Sequence, residues 1–360
     1  MIEYGKLSEP QKPWGGGLSR RIFGHIISLE NLFLAWEEFK KGKQNKRDVI
    51  LFSLNLENNI FALRKKLILG RWMSDGYTVF SIQDPKPRKI HKATVQDRIL
   101  YHAVYRVLYS LFDSTFIHDS YSSRKGKGTH AGIERLNIWV RKLSRNYTHP
   151  IYALKCDIRK FFDSIDHEIL LARIKQGTDC PQTIELLARI IDSFHKTHGK
   201  GLPLGNVTSQ VFANVYMNPF DWYVKMTLRI KYYIRYCDDF VILSRDRGEL
   251  VELIPKIRKF LTDNLRLELH PNKILIRNLH QGIDFLGAVL LPYRIVQRTR
   301  TKKRIIKKTQ KLLCQLQEEK ITKSQFNQTV NSFLGHLSHT KSFKVRCFLH
   351  KLKFSAKNLP

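Results

Sequence analysis

Two adjacent carboxylates, Asp238 and Asp239, close the tetrapeptide Tyr236-Cys237-Asp238-Asp239, and a third, Asp157, closes the apolar run Ile151 to Cys156. Carboxylate oxygens are hard donors suited to Mg²⁺. Two such ions polarise an attacking 3′-hydroxyl and neutralise a leaving pyrophosphate during in-line phosphoryl transfer. An Asp-Asp step by itself is ordinary turn chemistry, because Asp is favoured between paired strands. The metal reading therefore requires that both runs be neighbouring strands of one sheet, with Asp157 and Asp238 sharing the ions. Asp163 and Asp166, just downstream of Asp157, read instead as caps for the helical run Ile169 to Ile174.

The elements that must position these groups follow from the pattern around them. Tyr232 to Tyr236 and Phe240 to Leu243 are aromatic and β-branched, which predicts a hairpin with both carboxylates at its tip. Between the two carboxylate-bearing segments lies Gly201-Leu202-Pro203-Leu204-Gly205-Asn206-Val207-Thr208-Ser209-Gln210, a glycine and proline turn entering a helix through a Thr or Ser cap. Ala213 keeps that helix narrow enough for its backbone to approach a nucleobase, and Pro219 marks a kink. Upstream, helical spacing of Leu29, Leu32, Phe33 and Trp36, then Leu56, Ile60, Leu63 and Leu67, predicts two core-facing helices joined by the basic linker Lys40 to Arg47. A strand is expected at Tyr77 to Ile82, broken by Asp84-Pro85-Lys86-Pro87, with Arg88 and Lys89 following. Helices are expected from Ala93 to Phe112 and from Ala131 to Leu143. The loop Ser120 to Thr129 carries two glycines and three cations; it lacks the G-x-x-x-x-G-K-[ST] pattern of an ATPase and reads as a template-backbone contact.

The 360 residues include 63 Lys or Arg against 31 Asp or Glu, a formal charge of +32. Such an excess opposes compaction unless a polyanion neutralises it, which favours nucleic acid over a membrane or a small acidic substrate. From Pro292 onward there are seventeen Lys or Arg and two acids, Glu318 and Glu319, so this end is expected to meet phosphates, with salt-dependent affinity. The five cysteines include no C-x-x-C pair and read as reduced, mostly buried thiols. No stretch has the length and apolarity of a membrane span, and no signal segment is evident, so a cytoplasmic protein is expected.

Taken in order, the blocks resemble those of a reverse transcriptase. They are Ile82 to Ile90 with Asp97-Arg98, Ser120 to Thr129, Tyr152 to His167, Gly201 to Asn214, Tyr236-Cys237-Asp238-Asp239, Leu267 to Ile276 and Phe285-Leu286-Gly287. The resemblance implies an α+β, right-hand polymerase fold. Residues 1–27 would be a leader, 28–150 fingers with a helical extension, 151–290 palm with interleaved fingers elements, and 291–360 a basic helical thumb. It also implies an RNA-directed DNA polymerase, a nucleotidyltransferase using two Mg²⁺ ions. Asp157, Asp238 and the carbonyl of Ile158 would ligate the ions, with Asp239 beside them. Lys86 and Arg88 would grip the incoming triphosphate, and Lys273 would sit near the leaving pyrophosphate as a proton donor. Phe162 would lie under the sugar, where a bulky ring leaves no room for a 2′-hydroxyl, favouring dNTP over rNTP.

Two positions depart from the common form of the block: Leu204 stands where Gln is usual and Gln210 where Pro is usual. This resembles the [ILV]-G-x-x-x-S-Q form of diversity-generating retroelements, and the compact length, with a short basic C-terminal region and no room for a further nuclease domain, agrees. That branch implies a bacterial or phage-encoded enzyme, error-prone at template adenines, with a dedicated template RNA, a primer or cDNA strand and a small basic accessory protein. Group II intron-like, retron-type and phage-defence enzymes are the neighbouring alternatives. A non-catalytic, maturase-like RNA-binding protein is the alternative of another class.

Overall fold

The computed structural model describes residues 22–83 and 87–357. The glycine-rich stretch with Arg20 and Arg21, and Lys86 in the fingers block, lie outside the described residues. In chain order the elements begin with helices α1 (Ile22–Ile26), α2 (Leu29–Lys40), α3 (Arg47–Ser53) and α4 (Leu56–Ile68), then strands β1 (Tyr77–Ile82) and β2 (Arg88–Ala93). Next come α5 (Val95–Phe112), α6 (Thr129–Leu143), β3 (Tyr152–Asp157), α7 (Phe161–Ser164), α8 (His167–Gly177), α9 (Pro181–Asp192) and α10 (Val207–Trp222). The remainder comprises β4 (Tyr233–Tyr236), β5 (Asp239–Ser244), α11 (Arg247–Leu265), β6 (Leu275–Asn278), β7 (Ile283–Phe285), β8 (Ala288–Leu291), β9 (Arg294–Gln297), α12 (Thr299–Gln317), α13 (Lys323–Ser338) and α14 (Phe343–Lys357). None of the described helices is long and apolar enough to cross a membrane.

Two compact units are built from interleaved segments. The first is Met1–Arg124, Asp157–Lys231 and Pro255–Pro271; the second is Lys125–Cys156, Tyr232–Ile254 and Asn272–Pro360. In the first unit α5 is the central helix. Its face of Ile99, Leu100, Ala103, Val104 and Leu108 is fully buried and packs against α2 and α10. Spacing of three and four residues puts these side chains on one stripe, which is why so polar a sequence still forms a core helix. Ile22 and Ile26 are buried too, so the segment expected as a leader ends in a folded turn. Where two helices were expected between Ser28 and Trp72 there are three, because Arg47–Ser53 winds into a short helix of its own. α10 runs through Pro219 and then widens into a π-type turn at Tyr223–Thr227, adjacent to the proline that can donate no N–H.

The hairpin of β1 and β2 pairs Tyr77 with Ala93 through Ile82 with Arg88. Its base is fastened by Asp97, a fully buried carboxylate that accepts from Trp72 Nε1 at 3.2 Å, Ser74 Oγ at 3.1 Å and the Asp75 amide at 3.0 Å. Three donors offset the cost of burying that oxygen pair, although burial still raises its pKa.

The second unit holds a four-stranded sheet in the order β4-β5-β3-β6 and a three-stranded meander β7-β8-β9. A bundle of α12, α13 and α14 closes on Ile305, Leu316, Phe326, Val330, Leu337, Val345, Leu349 and Ala356. On α12 the same amphipathic pattern leaves Lys303, Arg304, Lys307, Lys308 and Lys311 exposed opposite the buried Ile305 and Thr309. The cysteines are all free thiols, but only Cys156 and Cys180 are buried. Cys237 and Cys347 are half-buried and Cys314 is exposed, fewer buried than expected.

Candidate active site

The hairpin of β4 and β5 is offset by one residue from the expected one. Tyr236 pairs with Asp239, so the two-residue turn is Cys237-Asp238 and Asp239 is already the first residue of β5. Asp238 thus lies in the turn and Asp239 on the strand, so the two adjacent carboxylates are positioned differently. Cys237 adopts φ +59°, a left-handed conformation that costs an L-residue roughly 1–2 kcal/mol. Burial, and then the neighbouring Asp238 charge, push its thiol up to about 12, so it stays protonated at neutral pH.

What holds this turn is charge buried beneath it. Arg235, fully buried on β4, donates from Nη1 to the Cys237 carbonyl at 2.9 Å. On β3, the Lys155 ammonium lies 3.1 Å from Asp239 Oδ2 and donates to the Asp284 carbonyl at 3.0 Å. Asp284 in turn accepts from Arg298 at the root of α12, where the Arg298 amide also donates to the Gly287 carbonyl at 3.1 Å. Asp239 is therefore charge-compensated by a lysine. Neither Arg235 nor Lys155 was singled out from sequence. The available signal was a lone cation inside each apolar strand, a position that a strand buries only when the charge is paired.

Asp157 ends β3, and the chain beyond it is held by the segment Glu268 to His270. The His270 amide donates to the Asp157 carbonyl at 2.8 Å and the Arg159 amide to the Glu268 carbonyl at 2.8 Å, bracketing an Ile158–Leu269 bridge. In such a wide antiparallel pair the central residue turns its own N–H and C=O away from the partner strand. The Ile158 carbonyl thus faces out of the bridge beside the Asp157 carboxylate. The Asp157 carboxylate and the Ile158 carbonyl are both oxygen donors, the chemistry Mg²⁺ takes.

The Gly201 to Gln210 block is positioned by backbone. The Leu202 amide donates to the Phe162 carbonyl at 2.8 Å, and the Leu204 carbonyl accepts from the His91 amide on β2 at 3.0 Å. Gly205 has φ +113°, and a Cβ there would meet Ile90 Cγ2 at 3.0 Å. Phe162 lies half-buried on the short helix α7, edge-on to Phe161 with ring centroids 5.4 Å apart. Leu204 is half-buried and Gln210 is exposed on the first turns of α10. The structure thus joins Phe162 and Leu204 to His91 of β2 through backbone bonds, and Arg88, the first residue of that strand, is exposed. Lys273 is half-buried in the single turn Pro271–Lys273.

Several local expectations change. Asn206, not Thr208 or Ser209, occupies the cap of α10, and the buried Ser209 hydroxyl donates back to the Pro203 carbonyl at 2.8 Å. Asp166 does cap α8, accepting from the amides of Glu168 and Ile169 and from Arg266 Nη1 at 2.7 Å. Burial by itself would raise its pKa, but the Arg266 bond and the Ile169 amide outweigh it and hold the carboxyl below the usual range. Asp163 caps nothing; it lies inside α7. Of the three loop cations, Arg124 is committed to the fold, bonded to the Asp113 carboxylate at 2.7 Å and to the carbonyls of Asp113, Ile117 and Ser120.

The sequence profile of the family described as reverse transcriptase (RNA-dependent DNA polymerase) matches residues 82–290. Among curated proteins, Protein YkfC of Escherichia coli (strain K12) is 23% identical over 247 residues, 58% of this chain and 64% of that protein. The group II intron-encoded protein LtrA of Lactococcus lactis subsp. cremoris is 22% identical over 307 residues, 65% of this chain and 50% of that protein. The chain therefore spans between half and two thirds of the length of these relatives. A solved telomerase structure from Candida albicans, in complex with a fragment of telomeric RNA, aligns with 79% of this chain and 60% of that one at a TM-score of 0.46 and 11% identity.

Proposed function

The chain belongs to the reverse transcriptase family, and we propose that it is an RNA-directed DNA polymerase that extends a primer along a template RNA with dNTPs. The observation that carries this is the family match over residues 82–290, which takes in the strand ending at Asp157 and the hairpin carrying Asp238 and Asp239. Asp157, Asp238 and the Ile158 carbonyl would hold two Mg²⁺ ions, which lower the charge barrier to attack by the primer 3′-hydroxyl and to departure of pyrophosphate. Phe162, with its backbone fixed through Leu202, sets the space beneath the sugar and excludes a 2′-hydroxyl. Lys86, Arg88 and Lys273 meet the triphosphate, and the exposed cations of α12 track the duplex backbone as the thumb of a right-hand fold. Fingers at 28–150, palm at 151–290 and thumb at 291–360 are the functional division we assign.

Within the family, Leu204 and Gln210 favour a diversity-generating enzyme that works with a dedicated template RNA and a small basic accessory protein. A group II intron-type role is the second reading, favoured by the match to LtrA. The test is dNTP incorporation on a primed RNA template. Asp238→Asn should lower it by several kcal/mol of barrier, on the order of 10³-fold, without loss of fold. Incorporation undiminished in Asp238→Asn would end the assignment. Adenine-biased misincorporation on the same template would favour the diversity-generating reading, and uniform fidelity the intron-type one.

A further inference from the structure

Apart from the carboxylates, the first unit holds a cluster of a different chemistry. His167 is the first residue of α8, Asp192 the last of α9, and His195 lies in the loop that follows. One ligand atom from each lies within 4.8 Å of the other two, the sole such group of three found among the described residues. His167 is 95% buried, by its 5% exposure, and its Nε2 is 2.7 Å from the Gly201 carbonyl. A carbonyl only accepts, so Nε2 carries the ring proton and Nδ1 keeps its lone pair. That Nδ1 is buried and meets no hydrogen-bond partner among the described residues. An unmet buried lone pair is unfavourable, so it is retained against a penalty. Desolvation lowers the pKa of the ring, leaving it neutral, the state in which imidazole binds metal.

The other two side chains are set for the same ion. Asp192 Oδ1 lies 3.1 Å from His195 Nε2. Two donors on a tetrahedral zinc with bonds of about 2.0–2.1 Å are roughly 3.3 Å apart, so this pair already has the spacing of neighbouring ligands. The bond from His167 to Gly201 is the outer-shell contact that characteristically fixes the tautomer of a ligating histidine. Two imidazoles and one carboxylate suit zinc and not Mg²⁺, which takes oxygen donors.

We infer that His167, Asp192 and His195 form a zinc site, with the fourth position open to water or to His198, whose ring stacks 6.0 Å from that of His195. The ion ties α8 and α9 to the loop His195 to Gly201, already folded back by the Lys196 amide on the Lys200 carbonyl and the His167 amide on the Gly199 carbonyl. That loop feeds directly into Leu202 to Gly205, so the ion fixes where this block begins. The site is structural and stands whether or not the polymerase reading does.

The test uses the full chain, stripped by a chelator and titrated with zinc sulfate in excess Mg²⁺, read by calorimetry and by thermal unfolding. One zinc per chain, a raised Tm and a tetrahedral cobalt spectrum on substitution are expected. His195→Ala and Asp192→Asn, both changes at exposed or half-exposed side chains, should abolish stoichiometric binding and the Tm rise. Asp238→Asn should keep both. Failure of the unaltered chain to bind zinc, or unchanged stoichiometry and affinity in both variants, overturns the site.

Discussion

The hairpin that carries Asp238 and the loop that carries Leu204 are held in place by opposite means. Beneath the hairpin are charged side chains: the buried Arg235 on the turn carbonyl, and the half-buried Lys155 on Asp239 and Asp284 joined to Arg298. The loop is held through its own backbone groups, the Leu202 amide on Phe162, the Leu204 carbonyl on His91, the Gly201 carbonyl on His167 Nε2 and the Pro203 carbonyl on the Ser209 hydroxyl, with a glycine where a side chain would strike Ile90. The difference teaches which substitutions each tolerates. A hairpin braced by side chains depends on their identity, while a loop braced by backbone is free to vary its side chains so long as no Cβ intrudes. That freedom is what allows Leu204 to replace the usual Gln without disturbing the fold.

The sharpest way to break this comparison is Arg235→Met. Its aliphatic body fills much of the same space but removes the bond to the Cys237 carbonyl, so a loss of about 1–3 kcal/mol in denaturant-derived stability is expected. A midpoint equal to that of the unaltered chain would show that the buried charge does not brace the turn. Gly205→Ala should cost the loop about 1–3 kcal/mol, because φ +113° and the 3.0 Å approach to Ile90 Cγ2 must both relax. Its signature is a raised KM for dNTP together with lower stability, where a change in neither would remove the backbone argument.

Asp166→Asn probes a carboxylate in the loop's own unit. The Asp166 pKa is depressed in the folded state, so its contribution is present above the unfolded value and is lost as pH falls through the folded one. Asn keeps a cap but not the pair with the exposed Arg266, so a small part of the stability near neutrality should vanish. The acid limb of a stability–pH curve should be correspondingly flatter, and an unchanged acid limb would refute the pairing. Smallest in stability is Leu204→Gln, which should leave the unfolding midpoint in place. One added hydrogen bond, about 0.5–1.5 kcal/mol, should tighten nucleotide discrimination by roughly twofold to tenfold, read by sequencing products. An unaltered misincorporation spectrum would take Leu204 out of any account of fidelity.

Much was legible in the order of residues because local rules govern it. The strand at Tyr77–Ile82, the helix after Ala93, the strand ending at Asp157, the helix after Asn206 and the apolar face of Phe326, Val330 and Leu337 follow from periodicity and turn chemistry. The family itself was legible from the blocks, since carboxylates and a glycine turn in a fixed order are a pattern that chance spacing rarely produces. The hairpin offset was not, because whether Asp239 sits in a turn or on a strand depends on its pairing with Tyr236 and its bond to Lys155. The companions of α5 were also beyond sequence, as were the internal commitment of Arg124 and the meeting of His167, Asp192 and His195. Short-range sterics and hydrophobic spacing are written into a few consecutive residues, so sequence alone set the elements and the chemistry they carry. Which distant charges neutralise one another depends on burial, which exists only once segments far apart in the chain have packed, so only the tertiary structure decided it.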